Sequence, residues 1–201
     1  MRRSNTFGSF TEAYRELAKF VRDEHDFEVA PRGLKIRECL GVQFSIVDPR
    51  DRLPYIKARS YSLSYFMAES LWYLSGSNST RWIERYAPFW SEISDDGVSA
   101  NSAYGARIFM QHPRIAGGNL VQWDWAKEEL RRDPDSRRAV IHIRTADDSL
   151  WAKKDVPCTL ALQFFIREDR LHLHVHMRSS DIILVIANDV PAFTLMQEIM
   201  A

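Results

Sequence analysis

The feature that most constrains this chain is a pair of alternating apolar runs, 159–166 and 171–178, joined by the polar quartet Arg167-Glu168-Asp169-Arg170. Period-two alternation puts one set of side chains on each face of a strand, and a short charged link between two such runs marks an antiparallel hairpin. Further β-like runs at 139–144 and 181–186 flank the hairpin, so the second half is expected to be a sheet.

The first half has the helical period instead. Ser9 and Glu12 form a capping box around Phe10, Ala13, Tyr14, Leu17 and Val21, which predicts an amphipathic helix over 9–24. Leu63, Phe66, Met67, Leu71 and Leu74 predict a second helix over 60–75, stopped at Gly76, with Glu69 inside its apolar segment. Shorter helices are expected over 79–86 and 119–132, the second ended by Asp133-Pro134-Asp135, with irregular chain between them. A last helix is expected over 191–201, behind Asn188-Asp189 as its cap and Pro191 in its first turn. The apolar positions over 36–47, with Gly41 among them, predict a strand interrupted by a bulge or a close approach. Helices first and antiparallel strands later describe an α+β fold, and 201 residues suffice for one well-buried domain over 1–201.

Charge narrows the partners. Lys+Arg and Asp+Glu both number 27, so no global field draws nucleic acid or an anionic membrane, and any anion site must be local. No stretch approaches the roughly 20 apolar residues of a membrane span, and no apolar segment follows Met1-Arg2-Arg3. The two cysteines, Cys39 and Cys158, are far apart and do not make a disulfide framework, which fits the reducing cytoplasm.

Within that frame a few residues can carry chemistry. Cys158 follows Pro157 and opens a strand, where a scaffold can hold a thiol at the mouth of a cleft; the same cysteine also reads as a small buried hydrophobe. Arg178 ends the strand paired to it, so a hairpin would bring a cation to the sulfur. Arg137-Arg138 and Arg178-Ser179-Ser180 combine guanidinium forks with hydroxyls, a set suited to a phosphate dianion and equally to surface ion pairs. His172, His174 and His176 share one strand face; without a carboxylate or cysteine at ligand spacing they read as a polar interface face, and no metal is expected. Trp72, Trp82, Trp90, Trp123, Trp125 and Trp151 offer flat surfaces for a planar ligand or for the core.

An ordered series of these residues resembles the thymidylate synthase family, with its deoxycytidylate and cytidylate hydroxymethylase branches. The series is Glu69-Ser70-Leu71-Trp72, Trp90, Ala103-Tyr104-Gly105, Asp133-Pro134-Asp135-Ser136-Arg137-Arg138, Pro157-Cys158, Gln163-Phe164, Arg178-Ser179-Ser180-Asp181 and Asn188-Asp189. The resemblance implies the family's α+β fold, a mixed, largely antiparallel sheet packed with helices and turning one face to a dimer partner. It implies that Cys158 adds to C6 of a pyrimidine nucleoside monophosphate and that Glu69 organises proton transfers, with 5,10-methylenetetrahydrofolate as co-substrate. Arg178 and Ser179 would hold the 5′-phosphate, joined by Arg137 and Arg138 from the second subunit of a homodimer. Gln163 would lie on the substrate side, and Arg32 beside Gly33 resembles a mobile phosphate arginine. Trp90, Tyr104 and Asp181 match folate-side positions.

Synthases carry Asn at the position of Asp189, and an amide suits the O4 acceptor and N3–H donor of uracil. A carboxylate accepts from the N4 amino group of cytosine, so the departure points to CMP or dCMP and a 5-hydroxymethyl product, with dUMP methylation as in thymidylate synthase, or nucleotide binding without turnover, as the alternatives. Family members continue beyond the position of Ala201, so the chain is expected to lack their C-terminal segment.

Overall fold

The computed structural model describes residues 4–57, 60–113, 117–149 and 153–201; Met1-Arg2-Arg3 and Trp151 lie outside them. The chain divides into two compact units, residues 1–61 with 181–198 and residues 62–180 with 199–201.

In the first unit, strand β1 (Ser4–Phe7) leads into helix α1 (Phe10–Asp23), followed by β2 (Phe27–Val29), a 3-10 turn at Pro31–Gly33, β3 (Ile36–Glu38) and β4 (Gln43–Ile46). The capping box holds: Ser9 Oγ accepts from the Glu12 N–H at 3.2 Å, and Glu12 Oε2 accepts from the Gly8 N–H at 2.9 Å. β1 pairs parallel with β4, and β2 pairs antiparallel with β3. The segment expected as one bulged strand is therefore two strands in separate sheets. Gly41, at φ +65°, turns the chain between them, a conformation that costs glycine little. Phe7, Phe10, Ala13, Tyr14 and Leu17 pack with Ile186 and Ala187 into the unit's core. Phe10 has no exposed surface, and truncating such a ring to alanine costs about 3–5 kcal/mol.

The second unit opens with α2 (Leu63–Leu74), where Ser62 Oγ accepts from the Tyr65 N–H at 3.1 Å and Gly76 at φ +66° ends the helical segment. Short helices α3 (Thr80–Ile83), α4 (Phe89–Ile93) and α5 (Tyr104–Phe109) follow, then β5 (Gln111–Pro113), β6 (Asn119–Val121) and α6 (Gln122–Arg132). Residues expected to start a helix at 119 instead pair with β5, and α6 begins at Gln122. Gly105 has a steric reason: a Cβ there would lie 2.1 Å from the Tyr73 carbonyl oxygen, so only glycine lets α5 sit directly on α2.

The predicted hairpin is present. β7 (Val140–His142), β8 (Thr159–Arg167) and β9 (Arg170–Met177) form a three-stranded antiparallel sheet, and Glu168 and Asp169 both take positive φ, as a two-residue hairpin turn requires. Ile141, Leu162 and Phe164 are fully buried on one face, with Trp123 of α6 packed edge-on against Phe164 at 6.1 Å. His172, His174 and His176 line the other face and are exposed.

The run 181–186 is not a strand. The Asp181 carboxylate accepts from the N–H groups of Ile183 and Leu184, both at 2.7 Å, and winds the chain into a turn. Helix α7 (Ile186–Met200) begins directly after it, five residues before Pro191, so Asp189 lies inside the first turn and not ahead of the helix. Among the described residues no helix is long and apolar enough to cross a membrane.

Candidate active site

The hairpin register places Thr159 opposite Met177, which brings Cys158 beside Arg178. The Arg178 N–H donates to the Cys158 carbonyl at 2.9 Å. Its guanidinium grips the preceding loop from the side, Nε donating to Pro157 O and Nη2 to Val156 O, both at 2.9 Å. The same Nη2 lies 3.7 Å from Cys158 Sγ. Full positive charge is thus fixed against a sulfur that is neither exposed nor fully buried, where negative charge on that sulfur is stabilised. Ser179 and Ser180 follow on the surface.

The loop that carries Cys158 is tied down from its other end. Buried Asp155 accepts from the Ser102 N–H at 2.8 Å, and Asn101 Nδ2 donates to Asp155 O at 2.9 Å. Asn101 Nδ2 and Arg107 Nη2 each donate to Asp148 Oδ1 at 2.8 Å, and the Thr145 N–H donates to Oδ2 at 2.8 Å. Burial raises the pKa of Asp148, but the Thr145 N–H, Asn101 and Arg107 outweigh it and hold the carboxyl below the usual range. Nothing in the sequence pattern singled out this network, because the bonds that join residues 101–107 to 148–155 span over 40 residues.

Glu69 has the opposite surroundings. It is 3% exposed on α2, and Tyr65, one turn earlier, donates to Oε1 at 2.6 Å. Trp90 Nε1 of α4 donates to the Tyr65 oxygen at 3.1 Å. Oε2 is buried and has no hydrogen-bond partner among the described residues. Burial pushes the pKa up to about 7, with Tyr65 and, from the next turn, Tyr73 opposing the rise. A carboxyl near half-protonation at neutral pH is poised to give or take a proton.

The two aromatic residues expected on the folate side are nearly buried. Trp90 packs on Trp72 at 5.0 Å and on Phe89 at 5.1 Å, and Tyr104 packs on Tyr73 at 5.4 Å. Arg137 and Arg138 are exposed at the start of the sheet. Arg138 Nε donates to Glu129 Oε1 at 2.8 Å, and the Arg137 carbonyl accepts from Gln163 Nε2 at 3.0 Å, so part of this cluster is used inside the chain. His174, though exposed on the sheet face, is held below its ordinary pKa by partial desolvation and by neighbouring His176 and His172.

Arg32, Asp181 and Asp189 belong to the first unit. Arg32 is exposed in the 3-10 turn at φ +53°, a left-handed conformation unusual for a side-chain-bearing residue. The Asp181 carboxylate is committed to its turn. Asp189 is 6% exposed in the first turn of α7.

Comparison with known proteins fits this architecture. The family described as thymidylate synthase matches residues 12–201. A deoxyuridylate hydroxymethyltransferase of Bacillus phage SP01 is 33% identical over 179 residues, covering 86% of this chain and 46% of that protein. Another of the same name, from Delftia phage PhiW-14, is 31% identical over 175 residues, covering 80% and 46%. The chain thus spans less than half the length of these relatives. Among solved structures, thermostable thymidylate synthase A from Bacillus subtilis superposes with a TM-score of 0.70 at 20% identity, over 96% of this chain and 73% of that one, a likeness of fold.

Proposed function

Because the chain belongs to the thymidylate synthase family, we propose that it transfers a one-carbon unit to C5 of a pyrimidine nucleoside monophosphate and leaves it as a hydroxymethyl group. The observation that carries this reading is the fixed contact of Arg178 with Cys158 Sγ at 3.7 Å. The Cys158 thiolate adds to C6, and the electron pair of the C5–C6 double bond moves to C5, which becomes nucleophilic. Arg178 stabilises the thiolate before addition and, with Ser179, offers donors to the 5′-phosphate. Arg137 and Arg138 of a second copy complete that phosphate site, and the exposed face of the β7–β9 sheet is where we place the second copy. Gln163 and Arg32 are assigned to the substrate side.

The buried Oε2 of Glu69, on a carboxyl linked through Tyr65 to Trp90, fits a polar ligand stacked nearby, so Trp90 and Tyr104 are assigned to a folate; Asp181 is assigned to it on the family resemblance alone. When bound, 5,10-methylenetetrahydrofolate supplies a methylene at the oxidation level of formaldehyde. Glu69 would then manage the protons: it would take the one lost from C5 once C5 has bonded to the methylene, and pass it to the nitrogen of the departing tetrahydrofolate. It would next take one from the water that adds to the exocyclic methylene, after which the Cys158 thiolate leaves C6 and the C5–C6 double bond is restored.

Asp189 favours a cytosine base, since its carboxylate accepts from N4 and repels uracil O4. The phage relatives, both named deoxyuridylate hydroxymethyltransferases, favour a second reading in which the base is uracil. A neutral carboxyl presents one donor and one acceptor, as an amide does, so a protonated Asp189 serves that base equally well. The test is a panel of CMP, dCMP, UMP and dUMP with 5,10-methylenetetrahydrofolate, run on wild type and Asp189→Asn. Hydroxymethyl product from cytosine nucleotides, lost in Asp189→Asn, supports the first reading. Product from dUMP alone replaces it with the second, and no product from any nucleotide sinks both.

A further inference from the structure

Tyr65 was not among the residues that the sequence singled out, and the proposed chemistry assigns it nothing. Its hydroxyl sits between two groups of fixed polarity. An indole nitrogen can only donate, so Trp90 Nε1 at 3.1 Å occupies the Tyr65 oxygen as an acceptor. The single phenolic proton is then left for Glu69 Oε1 at 2.6 Å. Oε1 is therefore an acceptor whether Glu69 is charged or neutral, and an acid proton placed there would break the chain. The other oxygen, Oε2, is buried and has no partner within hydrogen-bond distance among the described residues.

We propose that Tyr65 is a positioning residue: with Trp90 it fixes the polarity of a hydrogen-bond chain that confines the transferable proton of Glu69 to Oε2. The inference rests on the role assigned to Glu69 above. Its value to the reaction is directional, because a carboxyl whose proton can sit on either oxygen delivers it to a chosen atom only part of the time. Among the described residues the other ionisable groups around the carboxyl are Tyr73 on the same helix, which favours the charged form less strongly than Tyr65, and Tyr104 of α5, packed on Tyr73 at 5.4 Å. From α3, Trp82 Nε1 is bonded to Ala68 O. Of the charged residues on the packed helices, Arg81 and Glu92 are exposed and Arg107 is paired with Asp148. Tyr65 is thus the group best placed to tune Glu69.

The test is a carboxyl-carbon NMR titration of the protein labelled at glutamate, without nucleotide or folate, with Glu69→Gln assigning the resonance. Wild type is expected to titrate near 7. Tyr65→Phe removes a donor that favours the charged form, so the midpoint should rise by about one unit, a tenfold change in the protonation constant. Trp90→Phe frees the Tyr65 oxygen to accept from a protonated Oε1 and should raise the midpoint by less. A folded Tyr65→Phe with an unmoved midpoint overturns the proposal. Should that variant fail to fold, Trp90→Phe decides, a raised midpoint supporting the chain and an unchanged one overturning it. Because the titration needs no substrate, a protein inactive on every nucleotide would sink the proposed function without touching this result. Turnover with an unmoved midpoint would sink the Tyr65 inference alone.

Discussion

Glu69 and Asp148 are both buried carboxyls in the same unit, 3% and 2% exposed, yet their environments push them in opposite directions. Asp148 collects donors on both oxygens, from Asn101, Arg107 and the Thr145 N–H, and stays charged. Glu69 has one close donor on Oε1, Tyr65, only a weaker contribution from Tyr73, and no partner within hydrogen-bond distance of Oε2 among the described residues, and its pKa climbs to about 7. Burial alone therefore does not tell a structural carboxylate from a reactive one. The count of donors decides: a satisfied carboxylate holds a loop in place, whereas an unsatisfied one carries a cost that makes sense at a site of proton transfer.

The comparison can be broken most sharply through activity. Glu69→Gln keeps an acceptor for Tyr65 but cannot exchange a proton, so turnover of the best nucleotide should fall about 10²–10⁴-fold. A loss under tenfold would remove Glu69 from the proton path. Asp148→Asn should act on stability instead. It leaves Arg107, only 17% exposed, with an uncompensated charge, and such a break costs about 3–5 kcal/mol. Urea unfolding at neutral pH reads this, and a change within error would make Asp148 a bystander.

A smaller effect of opposite sign follows from linkage. Glu69 binds its proton more tightly folded than unfolded, so between pH 4.5 and about 7 the native state holds more protons and stability falls as pH rises. The full shift corresponds to roughly 3 kcal/mol of penalty above that window. Glu69→Gln should thus unfold at higher urea than wild type at pH 8, and the advantage should vanish below pH 4.5. Asp148 has a depressed pKa, so its contribution is present above 3.8 and is lost as pH falls through its folded value. A Glu69→Gln protein that is less stable than wild type at pH 8 would contradict the assigned environment. Ser136→Ala, which removes the 2.7 Å bond to Glu129 beside Arg138, should cost about 1 kcal/mol in urea unfolding at neutral pH, and an unchanged midpoint would show the bond contributes nothing.

How much of this was legible in the sequence follows from the range of each interaction. The hairpin was legible because alternation and a polar turn are local signals, and its register then placed Arg178 at Cys158. Helix α1 was legible from its capping box. The run 181–186 misled because its β-branched residues read as a strand, while the Asp181 carboxylate, capping two backbone N–H groups, turned it into the lead-in to α7. Pro191 misled because proline favours a first turn, and here it sits within a helix that starts at Ile186. The Trp90–Tyr65–Glu69 chain was illegible for a different reason. Trp90 is 25 residues from Tyr65, and no spacing rule joins an indole to a phenol across two helices. Glu69 itself came from family likeness, and its raised pKa only from burial in the fold.

The most direct test of the central claim is release of tritium from C5-labelled pyrimidine nucleotides in the presence of 5,10-methylenetetrahydrofolate. Addition of Cys158 at C6 is what makes the C5 hydrogen labile, so the account predicts release by wild type and none above background by Cys158→Ala. Undiminished release by Cys158→Ala would contradict it.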